Sequence, residues 1–126
     1  MKFKNLKELN VWCESVKLAT EIYKTVNSNS KFTKDFGLKE QIQRSAVSVP
    51  SNIAEGFERE TNAEFIRFLY IAKGSCAELK TQIIIAKEIS YIIESKLEEL
   101  IENCDHISVM IYRLIEYLKK NRPQKK

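Results

Sequence analysis

Residues 61–86 read TNAEFIRFLYIAKGSCAELKTQIIIA. Within them Phe65, Leu69, Ala72, Cys76, Leu79, Ile83 and Ala86 recur at steps of four and three, with Phe68 in the same stripe beside Leu69. At that spacing side chains share one face of an α-helix. Ile66, Tyr70, Ala77 and Ile84 make a second apolar line on another side. One neighbour cannot cover both, so this helix is expected to be central in its fold or to touch another subunit. Thr61 and Glu64 have the T-x-x-E spacing of a capping box and mark its start. Gly74-Ser75-Cys76-Ala77 is a run of small residues in mid-helix. Glycine costs about 1 kcal/mol there against alanine, which predicts close helix–helix contact at that point.

The flanking segments keep the same period. From about Asp35 to Glu55, Leu38, Ile42, Val49 and Ile53 form an apolar face with Ala46 beside it. Pro50 falls inside this helix, where it removes a backbone donor and crowds the preceding turn, so a kink is predicted. Gly56 is expected to end the helix as a left-handed C-cap. From about Leu6 to Val26 the seam is Leu9, Trp12, Val16, Ala19, Tyr23 and Val26, with Val11, Leu18 and Ile22 alongside. Asn27-Ser28-Asn29-Ser30 then reads as a loop. From about Glu94 to Leu118 the seam is Leu97, Leu100, Cys104, Ile107, Ile111, Leu114 and Leu118, widened by Ile101 and Ile115.

Four long helices with short connections predict an all-α fold, an antiparallel up-down-up-down four-helix bundle with its second helix kinked at Pro50. Trp12, Ile42, Leu69, Leu79, Leu100 and Ile107 should lie in its core. Three Gly and two Pro leave little room for the tight turns of an all-β fold. The 126 residues fit one domain, residues 1–126, with about 119–126 as a basic tail.

Net charge is +4, unevenly placed. Residues 1–50 carry nine basic and five acidic side chains, residues 51–112 six and eleven, and residues 113–126 six and one. Lys2, Lys4 and Lys7 near one end and Lys119, Lys120, Arg122, Lys125 and Lys126 at the other therefore suit an anionic partner, or serve to keep frayed ends solvated. In an up-down-up-down bundle the two termini share one end, which makes these eight residues the candidate nucleic-acid contacts. Few aromatic residues accompany them in sequence, so base stacking is not expected to contribute much.

Chemistry is sparse. His106 is the single histidine, with no second histidine to build a metal site and no carboxylate paired to it by spacing. Small helical ribonucleases that place an arginine a few residues before a histidine find no match in Ile101-Glu102-Asn103-Cys104-Asp105. Gly37, Gly56 and Gly74 are isolated, so there is no phosphate-binding loop, and Ser48 and Ser51 have no activating base beside them. Cys13, Cys76 and Cys104 are an odd set without C-x-x-C spacing, read as buried thiols in apolar stripes. No catalytic residue, metal or cofactor is expected. Free thiols fit a reducing cytoplasm. Met1-Lys2-Phe3-Lys4 opens no signal peptide, and no segment approaches the ~18 apolar residues of a membrane span.

One stripe stands out. Gln41, Ser45, Ser48, Asn52 and Glu55 recur at four, three, four and three. Solvated helix faces favour Lys and Glu. Short uncharged groups suggest a bonded network around Pro50, with Ser51 or Asn52 meeting the carbonyl that proline frees, or else a binding surface.

The run Gln43-Arg44-Ser45-Ala46-Val47-Ser48-Val49-Pro50-Ser51-Asn52-Ile53-Ala54-Glu55-Gly56 resembles the signature of the four-helix-bundle family of the 23S rRNA intervening sequence protein. Glu64 to Leu79 and the opening Leu9-x-Val11-Trp12 resemble it too, so the likeness spans nearly the whole chain. The resemblance implies a homopentamer of bundles. It marks Arg44, Ser48, Pro50, Ser51, Asn52, Glu55 and Gly56 as the family motif and a candidate interface. Members of the family are encoded within insertions in bacterial 23S rRNA genes. A related protein, the accessory variability protein of diversity-generating retroelements, is a basic pentamer that binds nucleic acid and a reverse transcriptase. The resemblance thus implies a non-enzymatic oligomer that associates with RNA or DNA without sequence specificity. The other reading is a structural scaffold for a protein partner, such as a reverse transcriptase. At the last turn Ser90 and Ile93 replace the Gly and the Ser or Thr cap frequent in the family, which predicts a looser or shifted connection.

Overall fold

The computed structural model describes residues 3–121, and every regular element among them is helical. After a single 3-10 turn at Leu6–Glu8 come five α-helices: α1 (Asn10–Asn27), α2 (Ser30–Lys34), α3 (Phe36–Phe57), α4 (Asn62–Glu88) and α5 (Glu94–Lys120). Lys2, Arg122, Lys125 and Lys126 lie outside the described residues.

The first expected helix is interrupted. Leu9 adopts an extended conformation, and α1 begins only at Asn10. The buried face of α1 is Val11, Ser15, Leu18, Ala19, Ile22, Thr25 and Val26, to one side of the expected seam. Tyr23 is exposed, and Trp12 and Val16 are only partly buried. Two polar residues sit in this face at little cost because each bonds within its own helix. The Ser15 hydroxyl donates to the Trp12 carbonyl and that of Thr25 to the Glu21 carbonyl, both at 2.8 Å.

The expected loop at 27–30 is a two-residue break followed by α2. Asn29 caps α2 by accepting from the Phe32 N–H at 2.9 Å, while its amide donates to the Tyr91 carbonyl at 3.0 Å. Phe32 is buried, its ring centroid 5.0 Å from that of Tyr91. Asp35 then caps α3, accepting from the Leu38 N–H at 3.1 Å and from the Tyr91 hydroxyl at 2.9 Å. The link between α1 and α3 is thereby fastened to the α4–α5 connection. That connection is closed rather than loose. Ser90 takes a left-handed φ of 67°, the Tyr91 N–H reaches the Ala86 carbonyl at 2.8 Å, and the Ser90 N–H reaches that of Lys87 at 2.9 Å. These are the paired bonds of a Schellman motif. Ile93 caps α5 without a side-chain bond.

At the start of α4 the Thr61 hydroxyl accepts from the Glu64 N–H at 3.2 Å, as the spacing predicts. Helix α3 packs on α1 and α4, α4 on α5, and α5 on α1. The early part of α4 meets the end of α5, where the Asn62 amide donates to the Leu118 carbonyl at 3.4 Å. Its later parts meet the middle and start of α5 through Lys80–Asp105 at 2.8 Å and Lys87–Glu94 at 3.4 Å. Lys96 of α5 reaches Glu21 of α1 at 2.7 Å. Ile42, Leu69, Leu79, Leu100 and Ile107 are buried as expected, whereas Trp12 packs at the margin of the core.

Both mid-chain glycines differ from expectation. Gly56 is no C-cap, since α3 continues to Phe57 and no glycine has positive φ. It is buried where α3 crosses α4, and a Cβ there would lie 2.8 Å from Phe68 Cβ and 2.9 Å from Phe65 Cδ1. Gly74, expected at a close contact, is exposed, and a Cβ there would meet nothing within 4 Å.

Candidate functional site

The motif residues of α3 form a polar seam against α4. Ser48 Oγ and Ser75 Oγ share a hydrogen bond of 2.8 Å. The Asn52 amide donates to Ser48 Oγ at 3.0 Å and to the Ser48 carbonyl at 2.9 Å. The carbonyl freed by Pro50 belongs to Ala46, four residues back. Asn52 therefore braces the serine pair and not the proline gap, and Ser51 is exposed. Pro50 itself is buried. Arg44 and Glu55 point outward, in pairs with Glu40 at 3.1 Å and Arg59 at 2.6 Å. Beside the serine pair, Gly37, Glu40, Gln41, Arg44, Ser45, Ser48, Glu78 and Gln82 line a cleft of about 380 Å³, and Gln82 Oε1 is buried without a partner. Of the seven motif positions, Ser48 and Gly56 meet α4, Asn52 braces Ser48 from within α3, Pro50 is buried, and Arg44, Ser51 and Glu55 stay accessible.

The described ends of the chain meet. Phe3 lines one cleft of about 620 Å³ together with Phe57, Phe65, Tyr117, Leu118 and Asn121. Arg59, Glu60, Thr61 and Asn62 complete its wall. Lys4, Lys7, Lys119 and Lys120 are all exposed on the segments that reach it. Lys119 pairs with Glu116 at 3.4 Å and stands 5.8 Å from the centre of the Tyr70 ring. The Tyr70 hydroxyl first, and Glu116 second, push its ammonium pKa up. Arg59 and Arg67 each lie against the Phe68 ring, at 4.8 and 4.6 Å from its centroid. Sequence alone points to the lysines and misses the rings, because Phe3, Phe57, Phe65 and Tyr117 are scattered along the chain and only folding gathers them.

Residues 7–113 match the family described as the 23S rRNA-intervening sequence protein. The chain belongs to that family. The match includes Lys7 and every motif position of α3 and ends before Lys119 and Lys120. A solved structure from Bacteroides thetaiotaomicron, a protein of unknown function from the S23 ribosomal protein family, superposes with a TM-score of 0.78. It is 25% identical, with 83% of this chain and 97% of that chain covered. No curated relative matches the chain.

Reactive groups on this family member are few. Cys13 on α1 is only half-buried, against expectation, whereas Cys76 on α4 and Cys104 on α5 are buried, and burial pushes the latter two thiols up to about 11 and about 12. Thiolate, the nucleophilic form, is therefore scarce at neutral pH. His106 is exposed on α5. Among the described residues no group of three or more His, Cys, Asp or Glu side chains could hold a metal ion, and no helix is long and apolar enough to cross a membrane.

Proposed function

We propose that this protein is a non-enzymatic accessory protein that associates with nucleic acid as an oligomer. In this reading the chain is one antiparallel up-down-up-down four-helix bundle, bent at Pro50, that assembles as a cytoplasmic homopentamer. The observation that carries it is the meeting of the two chain ends at one cleft, lined by Phe3, Arg59, Glu60 and Asn121, with Lys4, Lys7, Lys119 and Lys120 exposed on the segments that lead to it. Phosphate contacts made by such groups release counterions, so affinity falls steeply with salt. A ring of subunits repeats the patch, and avidity strengthens a weak single contact. Self-association is supported by the open side of α4, where Tyr70, Ile71, Ile84 and Ile85 remain 41–51% exposed around Gly74 and Ala77. The test is fluorescence anisotropy with labelled RNA and DNA at low and physiological salt. The full chain is compared with a variant carrying Lys119→Ala and Lys120→Ala. Binding at low salt that fades with salt and weakens in the variant agrees with the reading.

The same open face of α4 favours a second reading, a structural scaffold whose partner is a protein, such as a reverse transcriptase. Absence of nucleic-acid binding at low salt, with assembly intact, puts that reading in front.

A further inference from the structure

We propose that the cleft between α1 and the first turns of α3 binds single-stranded nucleic acid by base stacking, at a site separate from the chain ends. The proposal rests on the nucleic-acid reading above and names the strand type and the residues. Tyr23, Phe36, Lys39, Glu40, Gln43 and Arg44 line this cleft of about 400 Å³. Phe36, the first residue of α3, is 73% exposed, and Tyr23 is 41% exposed. Neither ring contributes to the core, although Phe32, four residues earlier, is buried. Two open aromatic faces on one cleft offer what a nucleobase needs, since stacking is tolerant of sequence.

The surrounding charge favours a polyanion. The Lys39 ammonium lies over one face of the Phe36 ring, 5.7 Å from its centre, so a base would stack on the opposite face. Lys24, next to Tyr23, and Lys31 and Lys34, on the α2 turn before Phe36, are exposed. The acids of this region are already engaged. Asp35 accepts from the Leu38 N–H and the Tyr91 hydroxyl, and Glu21 is bound to Lys96. Glu40 holds Arg44 at 3.1 Å, but both side chains are more than 70% exposed. Such a surface pair is weak, so the Arg44 guanidinium is free to exchange Glu40 for a phosphate. Gln43, between them, supplies an amide for a base edge. Duplex nucleic acid keeps its base faces covered and cannot use the rings, so the site selects single strands. Along α3, Phe36 is about 30 Å from Phe57 in the terminal cleft at 1.5 Å per residue, so the two zones can be disabled independently.

The experiment is anisotropy at low salt with a labelled single-stranded RNA of about 12 nucleotides and a hairpin duplex of the same composition. The full chain is compared with Phe36→Ala, with Phe36→Tyr and with the double variant Lys119→Ala/Lys120→Ala. Each is checked for an unchanged thermal melt and an unchanged sedimentation coefficient. The single strand should bind more tightly than the duplex. Phe36→Ala should weaken the single strand about tenfold and leave the duplex unchanged, and Phe36→Tyr should restore binding. Loss in the lysine variant with none in Phe36→Ala overturns this site and leaves the terminal reading standing. Loss in Phe36→Ala alone upholds this site and removes the terminal one. No binding of either probe removes both. A change of sedimentation coefficient in Phe36→Ala assigns the cleft to a contact between copies and overturns the proposal.

Discussion

A Cβ at Gly56 would press on Phe68 Cβ at 2.8 Å and lie 3.2 Å from the Phe65 carbonyl, whereas one at Gly74 would touch nothing within 4 Å. Neither contact at Gly56 is the far end of a flexible chain, so α3 and α4 would have to move apart. Gly56→Ala should destabilise the protein by about 1–3 kcal/mol, read from chemical denaturation. Gly74→Ala should do the reverse within one chain, adding about 1 kcal/mol from helix propensity. If a second copy approaches α4 at that point, the same alanine weakens assembly while raising the melting temperature of the dilute protein. Ser90 offers a third case. It holds a left-handed φ of 67° that glycine takes without strain. Ser90→Gly should therefore stabilise the fold by about 1 kcal/mol, measured by the same denaturation. Sequence locates all three residues but misassigns Gly56, and within one chain the structure shows no close contact at Gly74. A glycine demanded by a close crossing looks the same in a string of letters as one that caps a helix. Only the Phe65 and Phe68 side chains opposite it decide between them.

The elements α3, α4 and α5 are legible in the sequence because their apolar faces repeat over many turns. Helix α4 is the clear case, with Phe65, Leu69, Ala72, Cys76, Leu79, Ile83 and Ala86 all buried. The face of α1 lies part of a turn away from the expected seam because Ser15 and Thr25 belong to it, satisfied by their own backbone. Helix α2 escapes a sequence reading because five residues hold too little periodicity, and its stability comes from Asn29, Phe32 and distant Tyr91. Between α1 and α5 the tie is Glu21–Lys96. The hydrogen bond to Lys96 is the main cause that holds the Glu21 carboxyl below its ordinary value, and the bond to Glu21 is the main cause that raises the Lys96 ammonium. The Glu21 contribution is present above the unfolded carboxyl pKa and is lost as pH falls through the folded one. That of Lys96 is lost as pH rises through its raised value. Glu21→Gln should thus lower stability by up to about 1 kcal/mol at neutral pH. Its deficit against the unsubstituted protein should shrink as both are titrated below the carboxylate range, as followed by denaturation across pH.

For the whole molecule, the polar seam and the bulk of the core follow from patterns in the sequence, and the clefts do not. Clefts depend on which distant residues become neighbours. Phe3 beside Tyr117 and Tyr23 beside Phe36 leave no mark in local spacing. The surplus of apolar surface on α4, by contrast, is written in its two stripes. Helix α4 packs against both α3 and α5, yet Tyr70, Ile71, Ile84 and Ile85 stay open. An apolar face of this kind on a charged protein marks a contact surface. Under the proposed function that contact is with further copies of the same chain, and the repeated basic ends and the Tyr23–Phe36 clefts act together because of it. Sedimentation equilibrium at micromolar concentration tests this most directly. A pentamer gives a single species of about five times the 14.7 kDa chain, shifting toward smaller species in Ile84→Lys. A monodisperse 14.7 kDa monomer at that concentration would contradict it.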